Sequence, residues 1–186
     1  MKAEEYFVER LLEESLISEN NRELYRFGFN RLILFIINVI MALIIGMICR
    51  MLLVSICFSI GYFLLRRYSG GFHVKNPKIC FVLSAGMILV VLGIIRFMPS
   101  NTNIIVMLLI GADVIILMYA PKGTSQRPLS RSEEVVFKRI TRKILLIENI
   151  LVLLLLPLQY EFAESFTMSV VFSALMLIPS ILSSGK

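Results

Sequence analysis

Residues 66–80 hold the two residue types best suited to nucleophilic catalysis, in the order RRYSGGFHVKNPKIC. A cysteine attacks a carbonyl carbon as its thiolate, and a nearby histidine can accept the thiol proton. His73 is the single histidine of the chain, and Cys80 follows it in the same stretch. In one continuous helix their side chains would lie about 10.5 Å apart along the axis, beyond a hydrogen bond of about 2.6–3.2 Å. A Cys–His pair therefore requires the loop to fold back over the start of a helix.

The same stretch predicts where that helix starts. Asn76 suits the N-cap and Pro77 the first helical position, which puts Cys80 at about the end of the first turn. Gly70 and Gly71 give the preceding loop the backbone freedom to fold back. Each of the two residues also has a simpler interpretation. A lone cysteine at the head of an apolar helix, such as Cys80, is usually a small buried residue. A histidine in a basic loop, such as His73, often contacts only lipid headgroups.

Composition decides which kind of protein positions these residues. Of 186 residues, 58% are apolar and 17% charged, and the mean hydropathy is +0.83. Soluble domains have about 45–50% apolar and about 25% charged residues, so this pattern excludes a soluble enzyme, a disordered chain and a secreted disulfide scaffold. Three cysteines without a CxxC pair and one histidine argue against a disulfide framework or a metal site, and no cofactor is expected. The net charge of +6 lies beside apolar runs, which indicates membrane topology rather than nucleic-acid binding.

The apolar runs predict an all-α integral membrane protein with about six transmembrane helices, two of them short enough to be re-entrant. Residues 1–31 are polar, with apolar residues at helical spacing among glutamates, and predict an amphipathic helix. Only Arg50 separates the first two apolar runs, so we expect a tight hairpin with Arg50 at its apex. We expect residues 1–186 to form a single membrane-embedded domain, with spans at about 32–49, 51–65, 79–95, 104–120, 144–158 and 166–182.

Lysine and arginine counts predict the orientation. From the N-terminal region through each connection to the tail, the counts are 5, 1, 4, 1, 7, 0 and 1. Because lysine and arginine accumulate on the cytoplasmic side, both termini and the loops 66–78 and 121–143 are expected in the cytoplasm of a bacterial cell.

The two cytoplasmic loops carry a family resemblance. The run RRYSGGFHVKNPKIC, with six spans around it, resembles the accessory gene regulator protein B (AgrB) family of membrane cysteine endopeptidases, which process quorum-sensing propeptides. The second loop, YAPKGTSQRPLSRSEEVVFKRITRK, is similar to that family's Ala-Pro…Arg-Pro stretch with trailing lysines after the fourth span. The resemblance covers about residues 5–180, and the spacing from histidine to cysteine after Gly-Gly is its most specific part.

The resemblance implies a catalytic pair of His73 and Cys80 that cuts a propeptide of the AgrD type near its C-terminal side. Cys80 would keep the N-terminal part of the peptide as a thioester, and a cysteine or serine of that peptide would displace it to close a thiolactone or lactone ring. A third residue orienting His73 is not identifiable; Asn76 and Ser69 are local candidates. The implied partners are the propeptide, membrane lipid and, as an option, a second copy in a homodimer.

Each candidate substrate-binding residue has a simpler alternative. Arg66 and Arg67 suit an acidic peptide tail or membrane anchoring, and Gly71 suits the backbone geometry beside the histidine. Anionic lipid explains the basic second loop as well as peptide does. Asp113 and Glu148 lie in apolar spans, where a charge is costly, and predict either helix contacts or a non-catalytic transporter site. A peptide-docking protein without catalysis is a further alternative. The candidate peptide-binding residues of the second loop are Lys138, Arg139, Arg142 and Lys143.

Overall fold

The computed structural model describes residues 3–14, 16–71, 76–97, 101–123 and 129–179. Within these ranges the chain forms seven α-helices and a short 3-10 turn, with no strand, which confirms the predicted all-α fold class. The helices are α1 (Ala3–Glu13), α2 (Arg22–Ile48), α3 (Leu52–Ser69), α4 (Pro77–Phe97), α5 (Thr102–Tyr119), α6 (Arg131–Leu155) and α7 (Tyr160–Leu175).

Four stretches of the described chain are long and apolar enough to cross a membrane: Glu19–Ile48, Leu52–Ser69, Lys78–Phe97 and Thr102–Tyr119. They cover the first four predicted spans except for residues 49, 51 and 120, and they make the chain a membrane protein. The fifth predicted span lies on α6, whose first turns are charged, and most of the sixth lies on α7, which has 16 residues. The last residues of the sixth predicted span, from 180 onward, lie outside the described part of the chain.

The chain divides into two compact units, residues 1–41 and 42–186. In the first unit, α1 occupies the predicted amphipathic stretch, and the ring of Phe7 stacks on Phe29 with centroids 5.7 Å apart. Arg22 at the start of α2 pairs with Glu9 at 3.8 Å and with Glu19 at 2.9 Å. The single membrane-embedded domain stays a prediction.

The predicted turn at Arg50 is present in the second unit. Met51 N donates to Gly46 O at 2.8 Å, and Arg50 N donates to Met47 O at 3.0 Å. These two bonds are the pair that closes a Schellman motif, with Arg50 in the left-handed position at a φ of 55°. One residue with positive φ therefore ends α2 and lets α3 begin at Leu52.

Helix α7 lies at the centre of the second unit and contacts α3, α4, α5 and α6. Its buried residues are mostly small, and small residues let helix backbones approach closely. On α3, Gly61 faces α7 so closely that a Cβ there would lie 3.1 Å from Ser169 Cβ and 3.3 Å from Phe166 Cδ1. This packing fixes α3, the helix that leads into the candidate site.

Hydrogen bonds between connections show which ends of the helices meet. Arg96 at the end of α4 donates to the carbonyl of Cys49 after α2, at 2.9 Å. Lys122 N, after α5, donates to Ser69 O at the end of α3, at 2.9 Å. The last turn of α4 therefore lies against the turn after α2, and the connections after α3 and α5 meet each other elsewhere in the second unit.

Candidate functional site

Cys80 lies at the end of the first turn of α4, as predicted. Asn76 caps this helix, because its side-chain oxygen accepts a hydrogen bond from Lys78 N at 3.0 Å. Cys80 N donates to Asn76 O at 3.0 Å and so makes the first bond of the helix backbone. The thiol is free and half-buried. The cysteine is therefore held on a regular helix while part of its side chain stays accessible.

Arg66, in the last turn of α3, points toward this helix start. Its guanidinium donates to the carbonyl of Gly70 and also hydrogen-bonds the phenol of Tyr62. Cys80 lies within electrostatic range of both Arg66 and Tyr62. The guanidinium thus links the last turn of α3 to the turn at Gly70, with Cys80 in electrostatic range. Neither peptide binding nor membrane anchoring predicted this position.

The glycine turn joins the two loops that the sequence had singled out. Gly70 and Gly71 have φ values of 75° and 106°, which residues with a side chain rarely adopt. Between them and the connection after α5, Lys122 N donates to Ser69 O at 2.9 Å and Gly71 N donates to Lys122 O at 3.4 Å. These two bonds form a short parallel bridge, which we call the backbone clip, and the Ala120–Pro121 peptide bond before it is cis.

Gly71 is also confined by its surroundings. A Cβ at this position would lie 2.7 Å from the carbonyl oxygen of Met176, beyond the end of α7, and would overlap the side chain of Arg66. Any side chain would therefore displace Arg66 or the end of α7. The predicted role of Gly71 in the backbone geometry beside His73 stays a prediction.

His73, the predicted base, belongs to residues 72–75, which lie outside the described residues. Gly71 and Asn76, on either side of that segment, are described. The pairing of His73 with Cys80 therefore stays a prediction.

Arg67 lies on the exposed side of α3, with its guanidinium 5.8 Å from the ring centroid of Tyr68. Tyr68 in turn makes an edge-to-face contact with Phe137 of α6, with centroids 5.6 Å apart. This aromatic pair brings the end of α3 against the start of α6. Arg67 is thus free of the contacts that turn Arg66 inward.

The basic residues predicted in the second loop lie on helix α6. We expected residues 121–143 to form a loop, but α6 begins at Arg131, with Ser130 as its N-cap. Ser130 Oγ accepts from Glu133 N at 3.3 Å and Glu133 accepts from Ser130 N at 3.0 Å, a capping box. The spacing of Ser130 and Glu133 is a sequence signal for this helix start. The prediction of a loop rested on the charge of the segment and did not use this signal.

One face of α6 presents four basic side chains, all exposed, around a shallow groove with Val135 and Leu146 at its ends. Residues three and four apart lie on the same side of a helix, so this spacing forms a continuous stripe. We call it the basic face; its cations are Lys138, Arg139, Arg142 and Lys143.

Asp113 and Glu148 take part in contacts between helices. Asn149 Nδ2 of α6 donates to Asp113 Oδ2 of α5 at 2.7 Å, and Ser169 Oγ of α7 donates to Glu148 Oε2 of α6 at 2.7 Å. Glu148 is 3% exposed. Both carboxyl groups therefore bond neutral donors on neighbouring helices, which is what the helix-contact interpretation predicts.

Sequence reasoning missed three contributors to the site: Tyr62, Lys122 and Met176. Tyr62 precedes Arg66 by one helical turn, a spacing that places both on one face of α3, so a signal existed. Lys122 and Met176 act through backbone atoms that are distant in sequence from the glycine turn, and no residue type announces such contacts.

The chain is similar to known proteins over most of its length, including the residues of the candidate site. A family model described as Accessory gene regulator B matches residues 4–177. A putative AgrB-like protein of Clostridium perfringens (strain SM101) is 27% identical over 180 residues, which cover 90% of this chain and 84% of the relative. A putative AgrB-like protein of Listeria innocua is 30% identical over 138 residues, 72% of this chain and 64% of the relative. Accessory gene regulator protein B of Staphylococcus saprophyticus is 25% identical over 85 residues, 46% of this chain and 45% of the relative. No solved structure matches the chain.

Proposed function

Because the chain belongs to the accessory gene regulator B family, we propose that it is a membrane cysteine endopeptidase that cuts an autoinducer propeptide and keeps the N-terminal product as a thioester. Family membership supports a role in quorum sensing, and the apolar helices make the chain a membrane protein. The finer statement, proteolysis followed by ring closure, is the proposal.

One observation carries the proposal: a free, partly accessible thiol on the first turn of α4, with the Arg66 guanidinium in electrostatic range. Attack on a peptide carbonyl creates negative charge, and a fixed positive group nearby stabilises it. Cys49 and Cys57 are also free, but they lie at the turn after α2 and within α3. Cys80 is the thiol that follows the glycine turn and the single histidine.

The proposed reaction has two acyl transfers. His73 accepts the thiol proton of Cys80, and the thiolate attacks the carbonyl carbon of the scissile bond. The C–N bond breaks, the C-terminal segment leaves as an amine after taking a proton from His73, and the N-terminal segment remains on Cys80 as a thioester. A thiol or hydroxyl of the bound peptide then gives its proton to His73 and attacks the thioester carbonyl. The ring closes, the C–S bond to Cys80 breaks, and the released thiolate can take the proton back from His73.

The basic face of α6 is proposed as the docking surface for an acidic segment of the peptide. Its four cations are exposed, and the Tyr68–Phe137 contact packs α6 against the end of α3 next to the glycine turn. Exposed cations attract anionic partners over about 8–10 Å at ordinary ionic strength. A salt-dependent affinity for the peptide is the expected sign of this role.

We propose that the chain crosses the bacterial cell membrane several times, with both termini and Cys80 on the cytoplasmic side. The alternating lysine and arginine counts support this orientation. The contacts Lys122–Ser69 and Arg96–Cys49 support it as well, because they join the connections that the counts assign to the same side. Cysteine labelling of intact cells should find position 125 protected and position 162 reachable; labelling of position 125 from outside would overturn the orientation.

The test of the enzyme proposal is to trap the acyl-enzyme. Purified protein in detergent is incubated with a synthetic propeptide of the AgrD type whose ring-forming residue is changed to Ala. A hydroxylamine-sensitive adduct should accumulate on Cys80, because the displacing group is missing. Cys80→Ala should give neither adduct nor cleavage, whereas Cys49→Ala and Cys57→Ala should retain most of both. Normal cleavage by Cys80→Ala would exclude the cysteine endopeptidase.

A further inference from the structure

We propose that Tyr62 is a positioning residue of this site: its phenol holds the Arg66 guanidinium against the glycine turn and beside Cys80. The inference rests on the proposed endopeptidase function and deepens it. Tyr62 does not reach the substrate in this account. It acts through Arg66.

Tyr62 is held on both sides. Its ring stacks on Phe58, one turn earlier on α3, with centroids 5.7 Å apart and planes 14° from parallel. Its hydroxyl bonds the Arg66 guanidinium, one turn later on the same helix. Phe58 is buried at 1% exposure, so the ring rests on a fixed base. A tyrosine fixed in this way restricts the rotamers open to the long arginine side chain.

The restriction matters because Arg66 has several flexible bonds and a specific task. The guanidinium donates to the Gly70 carbonyl and lies where any side chain at Gly71 would be. Ordering a long arginine side chain costs conformational entropy. A second partner within the helix reduces the freedom left to lose. The phenol therefore helps keep positive charge beside the nucleophile and the turn closed ahead of His73.

Tyr62→Phe tests this role, because it removes the hydroxyl and leaves the ring on Phe58. The matched control is Tyr68→Phe, which removes a hydroxyl from the same helix while leaving the ring contact with Phe137. The measured quantity is the rate of adduct formation on Cys80 at saturating propeptide with its ring-forming residue changed to Ala. Tyr62→Phe should lower that rate about ten- to a hundredfold, the size of one hydrogen bond to a charged group. Tyr68→Phe should stay within about twofold.

Two further readouts separate positioning from a general loss of structure. The final amount of adduct measures how much of the enzyme is folded. A positioning role lowers the rate of adduct formation but changes neither this final amount nor the peptide concentration that gives half-saturation. Arg66→Lys should also lower the rate, and Tyr62→Phe added to Arg66→Lys should cost little more, because the phenol acts through the guanidinium.

The outcomes distinguish the two proposals. If wild-type protein forms the adduct and Tyr62→Phe matches Tyr68→Phe in rate, the role of Tyr62 is wrong while the endopeptidase stands. Full additivity of Tyr62→Phe and Arg66→Lys would also refute it. If wild-type protein forms no adduct although Cys80→Ala abolishes cleavage, the thioester step of the proposed function is the part that is wrong.

Discussion

The backbone clip between the glycine turn and Lys122 gives a quantitative prediction at Gly70. Gly70 has a φ of 75° and a ψ of −148°, close to a region that only glycine occupies readily. A Cβ there would lie 3.0 Å from the carbonyl carbon of Lys122 and 3.2 Å from its nitrogen, and would overlap its oxygen. Gly70→Ala must therefore either strain the turn or separate it from Lys122.

The magnitude follows from these two costs. Holding a residue with a side chain in this conformation costs about 1–3 kcal/mol. Losing the bond from Lys122 N to Ser69 O, 2.9 Å long, costs about 1 kcal/mol more. About 1.4 kcal/mol corresponds to a factor of ten in rate. If the whole cost of about 2–4 kcal/mol acts against the closed turn, the cleavage rate falls about 30- to 1,000-fold.

Propeptide cleavage in detergent, measured as kcat and KM, gives the assay. We expect kcat to fall and KM to change less, because in the proposed function the turn positions catalytic groups and the basic face binds the peptide. The control is Gly86→Ala on α4, where an added Cβ has no heavy atom within 4 Å. Wild-type kcat for Gly70→Ala would refute the link between the clip and catalysis, and an equal fall for Gly86→Ala would mark the effect as unspecific.

Two further predictions concern packing and charge. Gly61→Ala should lower the free energy of unfolding in detergent by about 1–3 kcal/mol, because the new methyl group would press on α7. Gly93→Ala, which has open space around it, should not lower it. Equal stability of the two variants would contradict the close approach of α3 and α7. Neutralising Arg139, Arg142 and Lys143 together should raise KM for the propeptide, and high salt should do the same to the wild type; a fall in kcat at constant KM would argue against docking on the basic face.

Local signals made much of the architecture predictable. Asn76 and Pro77 indicated the start of α4, and the structure has that helix start with Cys80 in its first turn. The lone Arg50 between two apolar runs indicated the turn after α2, and that turn is present. Both features depend on a few neighbouring residues, whose preferences are expressed whatever the rest of the chain does.

The features that sequence did not reveal depend on distant parts of the chain. Lys122 meets Ser69, and Met176 approaches Gly71, through backbone atoms. Every residue has a carbonyl and almost every one an amide, so composition and spacing carry no information about which of them meet. The helical start of α6 is different, because its capping residues were visible and the dense positive charge suggested a loop instead.

The transporter alternative draws its support from Asp113 and Glu148, two carboxyl groups in apolar helices. In the structure each of them bonds a neutral donor on a neighbouring helix, Asn149 or Ser169. Polar side chains between helices are a common way to hold a bundle in a membrane, so packing accounts for the bonded oxygen of each carboxyl group, while Asp113 Oδ1 and Glu148 Oε1 are buried without a hydrogen-bond partner. Packing does not account in the same way for Gly71. Its missing side chain leaves room for Arg66 and the carbonyl of Met176, and a turn that needs only to connect α3 to α4 has no use for a guanidinium beside a thiol. The arrangement around Cys80 therefore goes beyond what connecting the helices requires, and the proposed acyl transfer gives each part of it a role.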